Sequence, residues 1–290
     1  MTSEVWSRSR ETDHDPVDCF ATPHRSSRPT GPNGPYRSHW VVLPTFNEAE
    51  NVVLVVRSIE RALPGCTILI VDDASPDGTA DIAETLVADD VTVIVHRRPQ
   101  RKGLGAAYIE GFEKAIHDGA NVIVQMDADG SHDAAVLPRL VGLLHVSDLA
   151  IGSRYVEGGR IIGWPLHRRL LSKSANVYAR RVLGVRTRDV TSGFRAWRTS
   201  ALTGIDLRCV SGTGYAFLTE MLFLASRADL LISETPISFR DRQFGESKMS
   251  NREITAGALF LLRVRVRNRR GAATPALRPV RYPVVQKQLS

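Results

Sequence analysis

Val122-Ile123-Val124-Gln125-Met126-Asp127-Ala128-Asp129 is the stretch on which the fold turns, an almost unbroken apolar run that ends in a pair of nearby carboxylates. A run this short and this apolar suits a strand buried on both faces, and such strands belong to parallel sheets covered by helices. A run of the same form stands upstream: Ile68-Leu69-Ile70-Val71-Asp72-Asp73, followed by the turn residues Ala74-Ser75-Pro76-Asp77-Gly78-Thr79. Open α/β sheets bind their ligands beyond the carboxyl ends of the strands, where both acidic ends would lie. Carboxylates at that edge suit a hard divalent cation, Mg²⁺ or Mn²⁺, which prefers oxygen ligands and shares its shell with substrate phosphates. The pattern points to a nucleotide-sugar enzyme.

Outward from these runs the chain alternates. Strands are expected at 40–43, 67–73, 91–96, 121–127 and 148–153, and helices at 48–62, after Asp77, at 103–117 and at 134–144. This is the signature of βαβ units, hence an α/β fold with a mostly parallel sheet flanked by helices. Beyond Gly159 the period is helical through 164–183 and 215–225, and 231–239 reads as one more strand. Residues 1–37 are rich in Ser, Arg, Pro, Thr and Gly and are expected to be a disordered leader, because they bury too little apolar area to offset ordering entropy. The catalytic domain is assigned to 38–249. Ser250-Asn251-Arg252-Glu253 reads as a capping box before the apolar segment 254–262, and Arg263, Arg265, Arg267, Arg269 and Arg270 follow. An amphipathic, membrane-proximal helix is therefore expected over 250–270, with a loose tail at 271–290.

A chain of 290 residues, 43% of them hydrophobic, can build a substantial core. Its net charge of +7 suits nucleic acid, an anionic membrane surface or phosphorylated substrates alike, and arginine supplies nearly all of the positive charge. Cys19, Cys66 and Cys209 are too few and too scattered for a zinc site or a disulfide framework. No apolar signal region follows the N-terminal residues, and no run approaches the roughly 20 residues that span a bilayer. A cytoplasmic location is expected.

The motifs Pro44-Thr45-Phe46-Asn47-Glu48, 71–79, Met126-Asp127-Ala128-Asp129-Gly130-Ser131-His132, Gly152-Ser153-Arg154-Tyr155, Thr191-Ser192-Gly193-Phe194-Arg195 and Gly245-Glu246-Ser247-Lys248 occur in this order. The chain thereby resembles the family 2 glycosyltransferases of GT-A, Rossmann-like fold, and among them the polyprenol- and dolichol-phosphate mannosyltransferases. The resemblance covers roughly 39–255. It implies donor binding by Pro44, Phe46, Glu48, Val71, Asp73, Asp127, Ala128, Asp129, Arg242 and Lys248, and metal binding by Asp127, Asp129 and Ser131. It gives the acceptor phosphate to Arg154, Arg168 and Ser172, and catalytic roles to Asp129, Arg154, Arg242 and Lys248. Phe46 and Ser131 depart from the pattern, which commonly has tyrosine and, in some relatives, glutamine there.

For several of these residues a plainer reading stands beside the functional one. Glu48 suits the first turn of a helix, Asp72 suits a turn, and His132 suits a structural place because imidazole seldom ligates Mg²⁺. Arg168 sits next to Arg169 on what could be an ordinary solvated helix face, although Arg168 and Ser172 are one turn apart and face the same side. Asp189, Ser192 and Arg195 read as a shaped turn that supports the acceptor site, and Glu220 as a buried paired acid or a support for that site. The loop from Arg242 to Lys248 reads as a cover for the donor or as a polar loop.

The implied reaction is inverting transfer of mannose from GDP-mannose to a polyprenyl phosphate, with Mg²⁺ or Mn²⁺, at the cytoplasmic face of an anionic membrane. The resemblance leaves room for a membrane-anchored partner protein and includes no nucleic acid. A donor such as UDP-glucose is the near alternative, and an inactive basic protein that binds membrane or RNA is the remote one.

Overall fold

The computed structural model describes residues 39–86, 92–241 and 260–266. The expected leader, the loop carrying Arg242 and Lys248, most of the expected 250–270 helix and the tail lie outside them.

A seven-stranded sheet is ordered β3-β2-β1-β4-β7-β5-β8. Its strands are β1 (His39–Thr45), β2 (Thr67–Asp72), β3 (Val93–Arg97), β4 (Val122–Gln125), β5 (Leu149–Ser153), β7 (Arg195–Arg198) and β8 (Ile232–Pro236). All neighbours pair in parallel except β7, which runs antiparallel to both β4 and β5. The central strands are buried on both faces, which is why they read as continuous apolar runs. A separate parallel pair joins β6 (Arg160–Ile162) to β9 (Ser238–Arg240).

Helices cover both faces. One face packs on α1 (Val52–Ala62), which turns Val52, Val55, Val56 and Ile59 inward at helical spacing, on α2 (Thr79–Thr85) and on α4 (Leu137–Gly142). The other packs on α3 (Leu104–His117), the C-terminal part of α5 (Leu166–Leu183), the short α6 (Thr199–Leu202) and α7 (Tyr215–Arg227). Helix α3 lies so close to the sheet that a Cβ on Gly111 would come within 2.5 Å of Val42 and 3.1 Å of Val71. Residues 260–266 are helical and set Leu261 and Val264 into the same core, while Leu262, Arg263 and Val266 face outward.

Three expectations change. The helix over 134–144 is broken into a 3₁₀ turn at Ala134–Val136, α4, and a further 3₁₀ turn at Leu143–His145. The strand over 231–239 divides at Ile237: β8 stays in the main sheet and β9 leaves it to pair with β6. Arg195, read as part of a turn, instead opens the antiparallel β7 in the middle of the sheet.

The inserted strand matters for function. Because β7 is antiparallel, the Thr191–Phe194 segment that enters it lies at the same edge as the carboxyl ends of β1, β2, β4 and β5. The strand order also reverses across β1 and β4, the topological point where such sheets open a ligand crevice.

Candidate active site

The loops after β1 and β2 are laced together. The backbone N–H groups of Asn47, Glu48 and Ala49 donate to the side chains of Ser75, Thr79 and Asp77 at 3.1, 2.9 and 3.1 Å. Asp72 is the turn former, accepting from Thr45 Oγ1 at 2.9 Å, Ser75 Oγ at 2.6 Å and Ser75 N at 2.9 Å. Asp73 is buried against Arg98 and accepts the backbone N–H groups of Lys102 and Gly103 at 2.9 and 2.7 Å, so it anchors the entry to α3. Pro44 and Val71 are buried within the strands. Glu48 is half-buried and accepts from Asn51 at 2.8 Å, its backbone oxygen capping the start of α1. The Phe46 ring is half-buried and carries the Arg101 guanidinium 3.8 Å from its centroid.

At the end of β4, Asp127 and Asp129 flank the buried Ala128. Tyr108 donates from its hydroxyl to Asp127 Oδ1 at 2.9 Å, and His132 Nε2 lies 3.4 Å from Oδ2. Asp129 Oδ1 accepts from Ser131 N at 3.0 Å, a tight turn through Gly130 at φ 72°. The Ser131 hydroxyl is buried and has no hydrogen-bond partner among the described residues. Hard carboxylate oxygens with an unsatisfied buried hydroxyl beside them fit a divalent cation. Among the described residues no group of three or more His, Cys, Asp and Glu side chains surrounds a common point, so substrate or water oxygens would have to complete such a shell. His132 stacks on Phe194 with centroids 4.9 Å apart and meets Phe239 edge-on at 5.5 Å, a packed structural place.

Phe239 links this acidic edge to arginine: its ring lies 5.5 Å from that of His132 and 5.2 Å from the Arg154 guanidinium. Arg154, at the end of β5, forms a bidentate pair with the fully buried Asp189 and donates to Thr191 Oγ1 at 2.7 Å. Burial alone would raise the Asp189 carboxyl, but the charge of Arg154 and the hydrogen bonds from it hold the group below the ordinary carboxylate range. Glu234 accepts the N–H groups of Arg188 and Asp189 at 2.8 and 3.0 Å, and burial raises its carboxyl.

The inner stripe of α5 reads Arg168, Ser172, Asn176, Ala179. Arg168 stacks 4.1 Å over Trp164 and pairs with Asp241 at 3.1 Å. Ser172 accepts from the Tyr155 hydroxyl at 2.8 Å, and Asn176 Oδ1 accepts from Val190 N at 2.9 Å. Arg154 in turn lies 5.4 Å from the Tyr155 ring. Arg154, at the end of β5, and Arg168 and Ser172, on α5, thus share one wall.

Ser192 donates to Gly152 O at 2.6 Å, and the buried Arg195 donates to Ser192 O and Val190 O at 2.9 and 3.1 Å, so both hold the shape of that loop. Burial pushes the Arg195 guanidinium down to about 10. Glu220 is buried and accepts from Ser211 N and Gly212 N at 2.9 and 2.7 Å, which holds the turn before α7. Sequence reasoning passed over Tyr108, Tyr155, Trp164, Asn176 and Asp241. Tyr108 carried a signal: a phenol on the buried stripe of α3, one turn before Phe112, needs a partner for its hydroxyl.

The sheet with its acidic edge and clustered cations defines a GT-A glycosyltransferase. Residues 40–205 match glycosyl transferase family 2, and the chain belongs to that family. It is 44% identical over 209 residues to an undecaprenyl-phosphate mannosyltransferase of Micrococcus luteus, covering 72% of this chain and 86% of that one. To a polyprenol monophosphomannose synthase of Mycolicibacterium smegmatis it is 46% identical over 216 residues, covering 74% and 82%. A solved structure of glucosyl-3-phosphoglycerate synthase from Mycobacterium tuberculosis with Mn²⁺, uridine diphosphate and phosphoglyceric acid shares the fold at a TM-score of 0.56, with 21% identity over 79% of this chain and 78% of that one.

Proposed function

We propose that the protein transfers mannose from GDP-mannose to a polyprenyl phosphate with inversion, giving polyprenyl phosphate mannose and GDP. The observation that carries this reading is the juxtaposition of an acidic, oxygen-rich edge at Asp127, Asp129 and Ser131 with the wall of Arg154, Arg168 and Ser172. The names of the mannosyltransferase relatives supply the sugar and the lipid class. Asp127 and Asp129, with Ser131 beside them, would hold Mg²⁺ or Mn²⁺, which supplies charge to stabilise the leaving diphosphate. Pro44, Phe46, Glu48, Val71 and Asp73 would shape the nucleoside end of the site, with Ala128 passing close to the donor. Arg242 and Lys248 would add donor contacts from outside the described residues.

The acceptor's phosphate oxygen attacks the anomeric carbon as the bond to the diphosphate breaks. A phosphate is already ionised near neutral pH, so the nucleophile needs no dedicated general base. What the chain supplies is position and charge: Arg168 and Ser172 orient the incoming phosphate beside Arg154, which offsets its repulsion from the donor.

A peripheral seat on an anionic membrane follows from a lipid acceptor, since no helix among the described residues is long and apolar enough to cross one. The test is to incubate pure protein with several labelled nucleotide sugars and a polyprenyl phosphate and to extract with chloroform. Label from GDP-mannose alone is expected in the lipid phase. Label from UDP-glucose instead would overturn the donor assignment, and none from any donor would overturn the reaction.

A further inference from the structure

We propose that Tyr108 is a positioning residue for the Asp127 carboxylate, part of a buried brace that also includes Gly193 and Arg195. The proposal rests on the metal reading above and extends it to side chains that touch neither donor nor acceptor in that reading.

Tyr108 is completely buried on α3, and its ring is held between Phe112 and Phe217, with centroids at 5.7 and 5.8 Å. A ring clamped on both sides has one place for its hydroxyl. That place is 2.9 Å from Asp127 Oδ1, and the donation fixes the carboxylate's rotation about its last bond. Gly193 also abuts it, and its absent side chain leaves the carboxylate its room: a Cβ there would come within 2.9 Å of Oδ2 and 3.2 Å of Oδ1. His132 Nε2, 3.4 Å from Oδ2, closes the remaining flank.

Gly193 is itself held in place. Arg195, wholly buried on β7, donates to Ser192 O and Val190 O on either side of Thr191, and the Ser192 hydroxyl ties the same loop to Gly152 O. The register sets Arg195 opposite Gln125, two residues before Asp127 on the same strand direction. The antiparallel insertion of β7 therefore has a use: it brings a glycine against the carboxylate that the α3 hydroxyl holds. A metal-binding carboxylate at a strand end would otherwise sample several rotations.

The experiment removes the hydroxyl and keeps the ring. Mn²⁺ binding to Tyr108→Phe is measured with GDP present, by electron paramagnetic resonance of the free ion, alongside circular dichroism and the metal dependence of transfer. We expect Mn²⁺ affinity to fall on the order of tenfold, the lower end of what loss of a group orienting a ligand costs. The metal concentration for half-maximal transfer should rise in step, with kcat at saturating metal falling less and the spectrum unchanged. Gly193→Ala, whose added methyl would crowd both Asp127 oxygens, should weaken Mn²⁺ in the same assay. Wild-type Mn²⁺ affinity in Tyr108→Phe overturns the positioning role alone. A wild-type protein that binds no Mn²⁺ with GDP overturns the metal reading and this role with it.

Discussion

Arg154 and Asp189 meet edge to edge in the interior, with Nε 2.7 Å from one carboxylate oxygen and Nη2 2.8 Å from the other, and the Arg154 backbone N–H donates to the same group at 3.0 Å. This pair joins the end of β5 to the segment that enters β7. It also aims the guanidinium, whose remaining N–H groups and face are turned toward Thr191, Tyr155 and Phe239.

Asp189→Asn is expected to destabilise the fold by about 3 kcal/mol, since removing one partner of a buried pair leaves the other charge uncompensated. The folded Asp189 carboxyl titrates below its unfolded value of about 3.9. Its contribution is therefore complete above roughly pH 4 and is lost as pH falls through the folded value. Denaturant unfolding as a function of pH should show a shallower acid decline in the variant than in wild type.

Asp127→Asn and Asp129→Asn should each lower transfer on the order of a hundredfold or more while keeping the melting profile of wild type, because each removes a carboxylate charge and retains the shape. EDTA should reproduce the loss, and added Mn²⁺ should restore the wild type alone. Full activity in excess chelator would contradict a metal at this edge.

Much of this site was legible because β1, β2 and β4 are buried on both faces, so their ends are marked by the change from apolar residues to Pro44, Asp72 and Asp127. Strand β7 was not. Arg195-Ala196-Trp197-Arg198 offers four residues with charged ends, and Arg195 is accommodated inside by carbonyls of its own loop, a compensation no local pattern reveals. Asp73 reads as a donor contact in sequence, and its second task of holding the entry to α3 stays hidden there, because Arg98 and the N–H groups of Lys102 and Gly103 converge on it only after the chain folds. The stripe of α5 was half visible: spacing aligned Arg168 with Ser172, but its partners Asp241 and Tyr155 come from other elements.

Arg168→Ala should raise the KM for the polyprenyl phosphate about tenfold and leave GDP-mannose affinity by calorimetry unchanged, with Ser172→Ala giving a smaller effect in the same direction. The Arg168–Asp241 pair is partly exposed, so its loss should cost at most about 1 kcal/mol of stability. An equal loss of donor affinity in Arg168→Ala would move this residue to the donor side.

A polyprenyl phosphate acceptor would keep its apolar tail in the membrane. An amphipathic helix over 250–270 was expected to lie on it, yet the described part of that segment divides its faces, with Leu261 and Val264 committed to the core. Helix α5 offers a larger apolar surface: Leu166 is 70% exposed, Leu170 57% and Leu171 47%, with Arg169 and Lys173 exposed beside them. Its inner stripe is the proposed acceptor wall, so an interfacial α5 would bring Arg168 and Ser172 to headgroup depth, where a lipid phosphate resides. Apolar side chains inserted there contribute by burial, and each nearby cation adds on the order of 1 kcal/mol that falls with salt. Replacing Leu166, Leu170 and Leu171 with serine should therefore reduce sedimentation with anionic liposomes at all salt concentrations, whereas replacing Arg169 and Lys173 with glutamine should reduce it only at low salt. Transfer to a short acceptor dispersed in detergent should survive both sets. Undiminished liposome binding in the serine variant would remove α5 from the interface and return the role to the segment around Arg263.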